Sequence, residues 1–239
     1  METYKHAKEY AGALQDYLRA HADGEQALPM EAYMRGQFPF VGIRSPQLKA
    51  LMREWVRTQG APRGEELRET VSLLWSQPER EMQYAAMALL EKRRRETGPA
   101  ELPLLQELIV TKSWWDTVDL LASHQVGGIL AACPEEIPAT VDVWIASGHL
   151  WLQRTALLYQ LGYKERTDTA RLFGYIRQVS GSTEFFIRKA IGWALREYSK
   201  TDEAAVRAFV ASASLSPLSV REALKAVDRS RAAGRSAQE

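Results

Sequence analysis

At 239 residues, 46% hydrophobic and 26% charged, the chain is long enough to enclose a continuous apolar core and has the balance of an ordinary globular protein. No apolar run approaches the roughly 18 to 20 residues of a membrane span, and the charged start METYKHAKEY has no apolar leader stretch, so no membrane association and a cytoplasmic location are expected. The single cysteine, Cys133, excludes an internal disulfide, and the net charge of +1 hides an uneven spread: 16 Lys+Arg against 21 Asp+Glu over residues 1–150, but 15 against 9 over 151–239.

In chain order, apolar residues recur at three- and four-residue steps in EYAGALQDYLRAHA (9–22), PQLKALMREWV (46–56), EMQYAAMALLEK (81–92) and AVRAFVASA (205–213). Prolines 46, 78, 99, 134 and 217 stand near the starts of such segments, where a missing backbone N–H costs least. Strand-like alternation is hard to find, so the reading is an all-α chain of roughly a dozen short helices. FPFVGIRSP (38–46) is the longer connection, with Ser45 as N-cap and Pro46 as first helical residue of the next element. KRRR (92–95) reads as a solvated helix end, favourable beside the helix dipole, and the tail over 230–239 reads as disordered. Cys133 reads as a small buried hydrophobe. His6, His21, His124 and His149 show no metal-ligand spacing, so no metal or other cofactor is expected. Gly127 and Gly128 fit no phosphate loop and suit a helix end or close packing.

The helical segments repeat. QRTALL (153–158), IRKAIG (187–192) and VREALK (220–225) share Arg, one residue, then Ala. Extended backward, the register runs Gln83, Asp119, Arg154, Arg188 and Arg221, at intervals of 36, 35, 34 and 33 residues. That is the period of two-helix repeats of the HEAT kind, which stack into a curved solenoid with equivalent positions along one line. The expected architecture is therefore a single HEAT-like repeat domain over residues 1–239. Along its surface one carboxylate would be flanked by arginines, serving either an anionic partner, as the basic C-terminal third also suggests, or simply an Asp–Arg ladder between helices.

KSWWDTVD (112–119) sets paired tryptophans beside two aspartates. With a helix starting near Ser113, Trp115 and Asp119 share a face. Asp116 suits the helix N-terminus, and Trp114 suits the core. An indole face and a carboxylate together favour a cation. Cleavage of a glycosidic bond develops positive charge on the sugar, and a purine alkylated on N3 or N7 leaves as a neutral base without an acid donor.

ELIVTKSWWDTVD (107–119), WIASGHLWLQR (144–154) and EFFIRKAIGWALREY (184–198), in this order and spacing, resemble the AlkD-type alkylpurine DNA glycosylases over nearly the whole chain. The resemblance implies a HEAT-like solenoid and a monofunctional DNA glycosylase that excises 3-methyladenine and 7-methylguanine from duplex DNA in base excision repair, without flipping the base into a pocket. It carries the family's catalytic aspartate onto Asp119, its paired tryptophans onto Trp115 and Trp193, and its phosphate-contacting arginine onto Arg154. Arg188 or Lys189 would extend that phosphate track. Tyr33 matches a tyrosine near the DNA, with packing as its other reading, and Arg44 stands where a glutamine is expected. The partner implied is double-stranded DNA containing alkylated purines, bound by a monomer. The alternative is a noncatalytic HEAT-repeat protein that grips branched or distorted DNA, and beyond it a protein-binding scaffold.

Overall fold

The computed structural model describes residues 6–225, in which every regular element is helical and no β-strand occurs. The all-α expectation holds. The chain divides into two compact units, residues 1–97 and 98–239.

The first unit is built by amphipathic helices whose apolar stripes meet. Helix α1 (Ala7–Arg19) buries Tyr10, Leu14 and Leu18 at the spacing read from the sequence. It packs on α4 (Gly64–Trp75), which packs in turn on α5 (Arg80–Arg93). Asp23 caps the short α2 (Gly24–Tyr33) by accepting from the N–H groups of Glu25 and Gln26. The 38–46 stretch is a connection, as expected, up to Arg44, and its anchor is Glu81 at the start of α5. This fully buried carboxylate accepts from the backbone N–H groups of Val41, Gly42 and Ile43 at 3.0, 2.9 and 3.0 Å. The equally buried Arg80 lies with its guanidinium 3.9 Å from the Phe38 ring centroid. With the backbone of 41–43 pinned by Glu81, the chain enters α3 (Ser45–Gln59) one residue earlier than expected. Arg44, in extended conformation, is the N-cap, and Ser45 and Pro46 are already helical. The 92–95 run ends α5 as read from the sequence. Arg93 also reaches the loop carbonyls of Ala61 and Pro62 at 2.5 and 3.2 Å.

In the second unit, Pro99 and Pro134 open short 3-10 turns that lead into α6 (Leu102–Val110) and α9 (Ile137–Ala146). Between α6 and α9 runs one long helical stretch: α7 (Trp115–Leu120), a π-helical turn (Leu121–Val126), and α8 (Gly127–Ala132). Gly127 is required at the last junction, since a Cβ there would lie 2.2 Å from the Tyr159 carbonyl oxygen. Cys133 is half-buried rather than enclosed, since it stands past the last turn of α8 as its C-cap. Then follow α10 (Leu150–Leu158), α11 (Thr169–Val179), α12 (Phe185–Tyr198) and α13 (Glu203–Ser212). The last described residues, 217–225, are helical from Pro217 onward, as its position suggested. Helix α10 is central and contacts α6, α7, α9, α11 and α12. No helix among the described residues is long and apolar enough to cross a membrane. The 230–239 tail lies outside the described residues.

Candidate functional site

The paired tryptophans enter through a tight turn. Lys112 adopts a left-handed backbone (φ 48), costing about 1 to 2 kcal/mol for a side chain with a Cβ. Ser113 Oγ donates back to the Ile109 carbonyl at 2.6 Å. Both hold residues 111–114 out of the helix, so α7 starts at Trp115 rather than near Ser113, with extended Trp114 as its N-cap. Starting later, α7 still puts Trp115 and Asp119 one turn apart on one face. Asp116 falls in the first turn, where a carboxylate suits the helix dipole.

Trp114 packs as the sequence suggested, although it is half-buried. Its ring lies 5.1 Å from Phe186 and 5.9 Å from Trp151, while Trp151 and Phe186 are 5.0 Å apart. This three-ring cluster joins α7, α10 and the start of α12 directly beside the register residues. Trp151 and Phe186 were not singled out in the sequence. The available signal was spacing, since Trp151 precedes Arg154 by one turn and Phe186 stands two residues before Arg188.

Asp119 and Arg154 meet in a fork. Arg154 Nε donates to Asp119 Oδ1 at 2.7 Å, and an Nη donates to Oδ2 at 2.8 Å. The other Nη donates to the Phe186 carbonyl oxygen at 2.6 Å. Both side chains are buried, Asp119 retaining 11% exposure and Arg154 6%. Burial pushes the Asp119 carboxyl above the usual carboxylate range, and the Arg154 hydrogen bonds and charge pull it back only in part. A carboxylate offers four acceptor sites and a guanidinium five donors. The fork therefore leaves lone pairs on Asp119 for a water or a cation, and two Arg154 N–H groups beyond its three internal bonds.

Two of the remaining register residues, Gln83 and Arg188, donate to backbone carbonyls. Gln83, fully buried in the first unit, donates to the carbonyls of Trp75 and Gln77. Half-buried Arg188 donates to the Ser182 carbonyl at 2.8 Å, and its own carbonyl accepts from Ser219 Oγ at 2.9 Å. Arg221 is exposed. Lys189 pairs with Glu222 at 3.1 Å, and Trp193 is half-buried on the same helix. In the first unit, Tyr33 ends α2 and is 69% exposed, while Arg44 is exposed ahead of α3. Among the described residues no group of three or more His, Cys, Asp or Glu is placed to hold a metal ion.

A family model described as "DNA alkylation repair enzyme" matches residues 14–227. Among solved structures, the chain is similar to a predicted DNA alkylation repair enzyme from Enterococcus faecalis. The two share 33% identity with a TM-score of 0.80, covering 85% of this chain and 95% of that one. None of the curated proteins matches. The family model runs from within α1 through the Asp119–Arg154 fork, and the chain belongs to the DNA alkylation repair enzyme family.

Proposed function

We propose that this protein is a monofunctional DNA glycosylase that releases positively charged N3- and N7-alkylated purines from duplex DNA, acting as a monomeric HEAT-like solenoid. The observation that carries the reading is the Asp119 carboxylate, largely withdrawn from water, gripped on both oxygens by Arg154 and one turn beyond Trp115. Withdrawn from water, a negative charge stabilises a nearby cation far more strongly than in bulk solvent.

In the reaction the C1′–N bond breaks with its electron pair passing to the purine. That neutralises the alkylated base and leaves the positive charge on the sugar. Asp119 stabilises that charge and positions the water that adds to C1′, while Arg154 keeps the carboxylate oriented and ionised. The resemblance to the AlkD-type glycosylases extends the site to the rings of Trp115 and Trp193 against the deoxyribose, without a base-flipping pocket. By the same resemblance the remaining N–H groups of Arg154 would meet a neighbouring phosphate, with Arg188 and Lys189 next along that path and Tyr33 at the DNA.

One observation favours the noncatalytic alternative. The fork pairs Asp119 with Arg154 as a ladder between α7 and α10, a structural role that requires no catalysis. Incubation with methylated duplex separates the two. The glycosylase reading expects free 7-methylguanine and abasic sites, whereas salt-sensitive DNA binding with no base released supports the alternative.

A further inference from the structure

Helix α12 carries Lys189, Trp193 and Arg196 at spacings of four and three residues, so all three lie on one stripe. The helix over 217–225 packs against α12 with little separation. A Cβ at Gly192 would lie 2.4 Å from Glu222 Cβ and 2.9 Å from the Ser219 carbonyl oxygen, and Ser219 Oγ donates to the Arg188 carbonyl at 2.9 Å. From this closely seated helix the Glu222 carboxylate reaches Lys189 Nζ at 3.1 Å and an Arg196 Nη at 2.8 Å, one turn to either side of Trp193. Glu222 is itself only 12% exposed, whereas Lys189 keeps 37% and Arg196 27%.

An exposed ion pair between flexible side chains contributes little. This one differs because the acid's backbone is fixed by helix packing and one carboxylate serves two cations. Lys189, Arg196 and Lys225 around it hold the Glu222 carboxyl below the usual range, outweighing its burial, so it stays ionised throughout the neutral range. The two cations nevertheless stay open to solvent, where an incoming phosphate would have to displace Glu222 to engage them.

We propose that Glu222 limits affinity for DNA: it competes with DNA phosphates for Lys189 and Arg196, and so weakens the grip of α12 on the duplex. The inference rests on the DNA-binding reading above, and it assigns the last helix a role that no catalytic residue fills.

The test is a binding titration of the full chain with a short unmodified duplex between about 50 and 200 mM salt. Each further phosphate that the protein neutralises steepens the log–log salt dependence by about 0.9, which is an extra three- to fourfold loss of affinity across that range. Glu222→Gln is expected to bind more tightly at low salt and to show this steeper slope. Adding Lys189→Ala and Arg196→Ala to that variant is expected to reverse both effects. A Glu222→Gln slope equal to wild type, or a slope that stays as steep after both cations are removed from that variant, overturns the inference while leaving the DNA reading intact. A wild-type protein that binds no duplex overturns both.

Discussion

Arg154→Met removes one half of a buried fork and strands the other. The Asp119 side chain, 11% exposed, would lose hydrogen bonds of 2.7 and 2.8 Å and keep its burial. Breaking a buried ion pair at one partner costs about 3 to 5 kcal/mol, and the lower figure applies here because Asp119 escapes by taking up a proton. For a chain of this size about 3 kcal/mol lowers the melting temperature by about 6 to 12 °C. The pH dependence follows from the direction of the shift. The folded Asp119 carboxyl already lies above its unfolded value, so its contribution is fully present below the unfolded value of about 3.9 and is lost as pH rises through the folded one. Without Arg154 the folded value rises further, and the deficit of the variant should grow from about pH 4 toward neutrality. Guanidinium chloride denaturation at several pH values measures this. Asp119→Leu combined with Arg154→Met should recover most of the loss, since an apolar pair of similar volume replaces a buried ion pair at little cost. A loss below about 1 kcal/mol, or a double variant showing the sum of two single losses, would refute the coupling.

Two further outcomes probe the scaffold. Glu81→Gln loses the charge that accepts three backbone N–H groups of the 41–43 stretch. It should destabilise the protein by about 2 to 4 kcal/mol and expose residues 36–44 to protease, and unchanged melting and cleavage would contradict the anchoring role. Gly127→Ala forces a methyl group to within 2.2 Å of the Tyr159 carbonyl. The shift at the junction of the π-helical turn and α8 should cost about 1 to 3 kcal/mol in denaturation, and a neutral result would mean the two helices separate freely.

Helix type and position were legible in the sequence because burial follows the apolar period directly. Tyr10, Leu14 and Leu18 of α1 are inside where their spacing puts them. Helix starts were less legible, since they depend on partners distant in sequence. Glu81 fixes where α3 begins, and the left-handed Lys112 fixes where α7 begins. The repeat register did bring Asp119 and Arg154 together across 35 residues. It carried no sign that Arg154 would use a third donor on a backbone carbonyl besides the two in the fork, because that bond depends on where the Phe186 carbonyl comes to rest. Glu222 was invisible for a similar reason: an acid at position 222 acquires meaning only once Gly192 lets its helix close on α12.

Single-turnover release of 7-methylguanine from methylated duplex, wild type against Asp119→Asn, tests the central claim most directly. Asparagine keeps the size of the side chain and removes its charge. The account expects DNA affinity within about threefold of wild type and a release rate lower by a factor of about 100 to 1,000, the scale of losing one group that stabilises developing charge. Release by Asp119→Asn at the wild-type rate would contradict it.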